Sequence, residues 1–228
     1  MPHISGMIKP YIDQTIAIAK DKTFIEDPLL GPEFSRLHST LSSIVSRDGH
    51  VLQRAIYEAL KSSPFHSVWH EVSLNVTRKA DRLAQSANME KCFRTDLPYD
   101  DMVSRTIKLD LVVVQHRTNT VTAYELKRGK GYMGASTRKE AARDAICSRM
   151  LIRDFASTLG FHAQHGDAKV IVYHGNSSLP PNITLTGADL DSHFGAPVTA
   201  TVDEANRYFQ TQLDDMLPSM IADNLPQA

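Results

Sequence analysis

The sequence predicts an α/β protein, a mixed central β-sheet flanked by helices with helical extensions at both ends. Three observations carry this reading. Two short β-prone runs, Ile107–Gln115 and Val121–Arg128, flank the polar loop Gln115–Thr120, which is the pattern of a hairpin. A helical zone with small and apolar residues at helical spacing follows, reaching about Leu159. A third apolar run, Ala168–His174, then reads as a buried strand. With one helix and one strand ahead of the hairpin, the order is helix, strand, strand, strand, helix, strand.

In chain order, Tyr11–Lys22 is a modest helical candidate, followed by the breakers Pro28, Gly31 and Pro32. Phe34–Ser63 has apolar residues at helical spacing: Phe34, Leu37, Leu41, Ile44 and Val45, then Leu52, Ile56 and Leu60. Asp48-Gly49 predicts a break within it. Pro64 ends it, and Val68–Thr77 alternates as a strand. Arg78–Ser104 is polar and mixed, a short helix and a loop. After the hairpin, Gly129–Gly134 is a flexible turn that lacks the Gly-Lys-Ser/Thr of a phosphate loop. Ser136 or Thr137 is the expected cap of the next helix, whose apolar stripe is Ala141, Ala145, Ile152, Ala156 and Leu159. Gly160 ends it. A Pro-rich linker, Ser177–Pro181, leads to a final helix at Asp203–Leu217. These breaks suggest an arm over residues 1–34, a core over 35–175 and an acidic extension over 176–228, packing on the core or on a partner subunit.

The chain has 228 residues, 42% of them hydrophobic, which suits one globular domain with extensions. Two cysteines cannot make a disulfide framework, so a reducing, cytoplasmic setting is expected. No apolar run reaches the roughly 18 residues of a membrane helix. The net charge of −1 does not advertise nucleic-acid binding, but the charges are unevenly placed. Lys127, Arg128, Lys130, Arg138, Lys139, Arg143, Arg149 and Arg153 crowd one segment that holds only Glu140 and Asp144 as acids. From Ile183 onward Arg207 is the one basic residue.

The hairpin carries the chemistry. Alternation places Lys108, Asp110, Val112 and Val114 on one face of its first strand, and Val121, Ala123, Glu125 and Lys127 on one face of the second. Pairing Val114 with Val121 and Val112 with Ala123 sets Asp110 opposite Glu125 and Lys108 opposite Lys127. Directly opposed carboxylates destabilise a sheet by up to about 1 kcal/mol. A divalent cation between them reverses the sign.

Asp110, followed after fourteen residues by Glu125-Leu126-Lys127, resembles the PD-(D/E)xK nuclease superfamily, which includes many type II restriction endonucleases. Leu109 stands where that motif often has proline. The resemblance covers the hairpin and its flanks, about residues 40–175. It implies a restriction-endonuclease-like core and magnesium-dependent hydrolysis of DNA leaving 5′-phosphate and 3′-hydroxyl ends. Asp110, Glu125 and the Leu126 carbonyl would hold Mg2+. Lys127 would orient water or stabilise developing charge. Arg128, Lys130, Arg138, Lys139 and Arg143 are the candidate phosphate contacts. The family's first helix often adds a glutamate in a Gly-x-x-Leu-Glu pattern. Here Gly49-His50-Val51-Leu52-Gln53 has glutamine instead, leaving Glu58 or Glu71 as substitutes. A homodimer is consistent with double-strand cleavage. Competing readings are a repair or phage-defence nuclease acting on ends, branches or RNA, a catalytically silent nucleic-acid-binding module, and a plain interaction protein.

Overall fold

The computed structural model describes residues 6–21, 23–86, 88–100, 102–129, 133–175 and 178–224. Helices α1 (Ile8–Lys20) and α2 (Gly31–Lys61) come first, then strand β1 (His66–Thr77). The short helices α3 (Arg78–Ser86) and α4 (Met89–Phe93) precede the hairpin β2 (Val103–Gln115) and β3 (Thr120–Lys127). Helix α5 (Ala135–Thr158) crosses to β4 (His165–Val172). A short strand β5 (Thr184–Thr186), helix α6 (Leu190–Phe194) and helix α7 (Val198–Asn224) complete the chain.

The five strands form one mixed sheet in the order β1-β2-β3-β4-β5. β1, β2 and β3 are antiparallel neighbours, whereas β4 and β5 join in parallel. The parallel step requires a long connection, and α5 provides it. The hairpin register is the expected one: Val114 pairs with Val121 and Val112 with Ala123. Both are apolar pairs and are buried in the core with α5, and a one-residue slip would exchange the two faces of the strand and undo that packing.

The chain forms two compact units. One is Met1–Glu58 with Ala200–Ala228; the other is Ala59–Thr199. This differs from boundaries near residues 34 and 175. In the first unit helices α1 and α7 meet: the Tyr208 hydroxyl donates to Asp13 at 2.9 Å, and the Lys9 ammonium sits 5.3 Å from the Tyr208 ring centre. The expected break at Asp48-Gly49 is absent, and α2 runs straight through. A helical glycine costs only about 1 kcal/mol relative to alanine. The buried turn that follows, Val51, Leu52, Ala55 and Ile56, outweighs it.

In the second unit, α5 lays its buried face, including Ala145, Ile146, Cys147, Met150, Leu151 and Ile152, on Val112, Val114, Val121, Ala123, Ala168 and Val170 of the sheet. Gly134, not Ser136 or Thr137, is the N-cap of α5, and no side chain caps it. Cys92 and Cys147 are separate buried thiols. Among the described residues, no helix is long and apolar enough to cross a membrane.

Candidate functional site

The β2–β3 ladder ends at Leu111↔Tyr124. Beyond that rung β3 continues with β4 alone, through Glu125↔Val170 to Lys127↔Val172. The two strands therefore fork just where alternation would have set two carboxylates face to face. Within the fork the Asp110 side chain continues the pairing in place of the backbone: its Oδ2 accepts the Leu126 N–H at 2.6 Å. A strand residue directs its N–H and C=O to the same edge. The Leu126 carbonyl therefore faces the same side as its amide, toward Asp110.

Glu125 and Lys127 share one face of β3, and the Lys127 ammonium bonds Glu125 Oε1 at 2.6 Å. Burial alone would lower the Lys127 amine. The bond to Glu125 and the charges of Glu125, Asp110 and Asp144 outweigh it and hold the ammonium above the usual lysine range. Lys127 is therefore a cation at neutral pH, able to donate and to offset negative charge, and not a base.

Lys108 departs from its expected place opposite Lys127. Ile107 and Leu109, not Lys108, share the α5 side with Val112 and Val114. Lys108 instead lies opposite Ser73 of β1 and bonds Glu71 Oε1 at 3.0 Å, where both side chains are exposed.

Beside the fork, under α5, lies a cleft of about 210 Å³ that Glu125 lines. Arg105, Ile107, Leu109, Ala123, Glu125, Glu140, Asp144, Ser148 and Lys169 are among its walls. Small residues of α5, Ala145 and Ser148, leave this space between helix and sheet. Asp144 pairs with Arg105 Nη2 at 2.5 Å. Arg105 in turn bonds the buried Asp81 at 3.2 Å, and Arg143 reaches both oxygens of Asp81 at 2.8 Å. Burial alone would raise the Asp81 carboxyl, but the bonds from Arg143, Arg105 and Ser104 outweigh it and hold it below the usual carboxylate range. This network ties α3, β2 and α5 together behind the cleft.

Asp110, Glu125 and Lys127 are thus brought together, with the Leu126 backbone between them. The phosphate-contact candidates separate into two groups. Arg128, Arg138 and Lys139 are exposed. Arg143 is committed to Asp81, and Lys130 lies outside the described residues. Arg149 and Arg153 of the same segment pair with Asp96 at 2.7 and 2.8 Å. Glu58 belongs to the first unit, where it pairs with Arg54 at 2.6 Å. Sequence reasoning misses Asp144 and Arg105 as cleft residues. The available signal is Glu140 and Asp144, four apart on a helix whose inner positions are small.

The donor set limits what ion would fit. Among the described residues no group of three or more His, Cys, Asp or Glu is arranged to hold a metal. Zinc sites take three or four such ligands. Magnesium binds through one or two carboxylates and completes its shell with waters and phosphate oxygens. Two carboxylates and a carbonyl, all hard oxygen donors at one fork, meet that smaller demand. Comparison with known protein families, curated proteins and solved structures gives no match.

Proposed function

We propose that the second unit is a magnesium-dependent endonuclease of the PD-(D/E)xK type with a restriction-endonuclease-like core, hydrolysing DNA phosphodiester bonds. The observation that carries this reading is the convergence of Asp110, Glu125 and Lys127 at a fork between two strands, beside the cleft that Glu125 lines.

Asp110, Glu125 and the Leu126 carbonyl would hold a magnesium ion, which when bound supplies charge neutralisation at the phosphoryl group and a nucleophile at neutral pH. The chain's own residues do the rest. Lys127 is bonded to Glu125, which lines the cleft, and keeps its charge; a preorganised ammonium stabilises the negative charge that grows on a phosphoryl oxygen. The Leu126 amide holds Asp110 in one orientation, so the carboxylate does not have to reorganise during the reaction. Arg128, Arg138 and Lys139 position the backbone phosphates. Water adds to phosphorus and the bond to the 3′-oxygen breaks, leaving 5′-phosphate and 3′-hydroxyl ends. Cutting both strands of a duplex often uses two such sites, which a homodimer would supply.

A second reading is a catalytically silent nucleic-acid-binding module. It is favoured by one observation: an amide and an ammonium already engage the two carboxylates. Incubating purified protein with plasmid DNA and magnesium, with and without chelator, separates the two. Discrete fragments indicate a restriction-type enzyme. A smear indicates a nonspecific or end-acting nuclease. Intact plasmid rejects the enzyme reading and leaves the binding module.

A further inference from the structure

Glu71 has a backbone φ of 53°, in the middle of a twelve-residue strand. This left-handed region is rare for residues other than Gly, Asn and Asp, and a strand interior gives no local reason for it. The position is informative. His70 pairs with Leu111 and Val72 with Leu109, so the rung between those pairs is that of Glu71 and Asp110.

Both strands change phase at this rung. On β2, Ile107 and Leu109 face the α5 core, and so do Val112 and Val114. Two residues, Asp110 and Leu111, therefore separate consecutive core residues where regular alternation allows one. On β1, Trp69 and Val72 both pack against the same core, again with two residues between them. The register is identical before and after the rung, so neither strand has gained a residue relative to the other. The paired strands rotate together at one point, and the left-handed residue lies there.

The consequence falls on Asp110. Regular alternation from Val112 would stand its side chain among the apolar residues under α5. The phase change removes it from that face, and its carboxylate extends sideways to the Leu126 amide. We propose that Glu71 is a positioning residue whose left-handed backbone, and not its carboxylate, turns Asp110 onto the Leu126 N–H at the fork. The functional weight of this pivot rests on the reading of Asp110 as a site carboxylate; the geometric claim does not.

The test therefore reads geometry. A carboxylate accepting an amide at this distance moves that amide proton strongly downfield, and an Asp110→Ala variant gives the position without the bond. Amide NMR spectra of the magnesium-free full chain are compared for the wild type and for Glu71→Gly, Glu71→Asn and Glu71→Val. Gly and Asn tolerate a positive φ and lack the carboxyl group; Val strongly resists it. The expected result is a downfield Leu126 proton in the wild type, Gly and Asn proteins, and its loss in the Val protein to the Asp110→Ala position. A Leu126 proton that stays downfield in the Val protein overturns the proposal. So does its loss in the Gly protein, which would make the carboxylate responsible. If melting shows the Val protein unfolded, Glu71→Ala decides: partial loss supports the pivot and full retention rejects it. An inactive wild type with this pattern intact would remove the nuclease reading and leave the pivot standing.

Discussion

The two ends of the β2–β3 hairpin are built from the same alternating sequence and do opposite things. At the turn end, Val112, Val114, Val121 and Ala123 are buried, and the ladder holds rung by rung to Leu111↔Tyr124. One rung further the strands part: a carboxylate of β2 accepts an amide of β3 across the gap, and along β3 an ammonium bonds a carboxylate. The closed end is held by apolar burial, which is indifferent to the direction of any one bond. The forked end is held by directional, charge-assisted bonds beside a cleft. Removing atoms from the first should therefore lower stability, whereas removing charge from the second should lower function.

The largest expected effect is at the closed end. Leu111 is fully buried, and Leu111→Ala should destabilise the chain by about 2–5 kcal/mol in denaturant unfolding. A loss under about 1 kcal/mol would show that this end is not closed as described. At the forked end, Asp110→Asn keeps an oxygen for the Leu126 amide and removes the charge. Magnesium-dependent cleavage should fall at least about 100-fold, or about 2.7 kcal/mol. Stability should change by less than about 1 kcal/mol.

Behind the fork, Asp81→Asn takes the charge from a carboxylate held by two arginines and should cost about 2 kcal/mol at neutral pH. The folded Asp81 carboxyl lies below its unfolded value. Its contribution is therefore complete above about pH 4 and disappears as pH falls through the folded value. The wild-type advantage over Asp81→Asn should narrow on acidification below about pH 4; an advantage that widened there would contradict the sign. The smallest effect belongs to the exposed bases. Replacing Arg138 and Lys139 with alanine should weaken binding evenly across DNA sequences and reduce the salt slope by about 1 for each phosphate that is no longer neutralised. An unchanged slope would remove them from the interface.

Much of this arrangement is legible in the sequence, because it is local. Period-two alternation and a short polar loop set the hairpin and the Val114–Val121 register. Helical spacing sets α5, and the Glu125-x-Lys127 step places two charged groups on one face. What is not legible depends on partners far along the chain or on backbone geometry. Nothing in the alternation of β1 signals a positive φ at Glu71, so the phase change that sends Lys108 to Glu71 is unreadable. Arg143 resembles its basic neighbours in sequence, yet its partner Asp81 lies 62 residues earlier. Separation along the chain likewise hides the contribution of Asp144, whose partner Arg105 sits near the head of β2.

The central claim is that the fork performs magnesium-dependent phosphodiester cleavage through Lys127. The direct measurement compares plasmid cleavage by the wild type and by Lys127→Ala, matched for thermal stability, in magnesium with and without chelator. The account predicts cleavage by the wild type that the chelator abolishes, and none by Lys127→Ala. Equal cleavage by the two proteins, or cleavage by the wild type that persists in chelator, would contradict it.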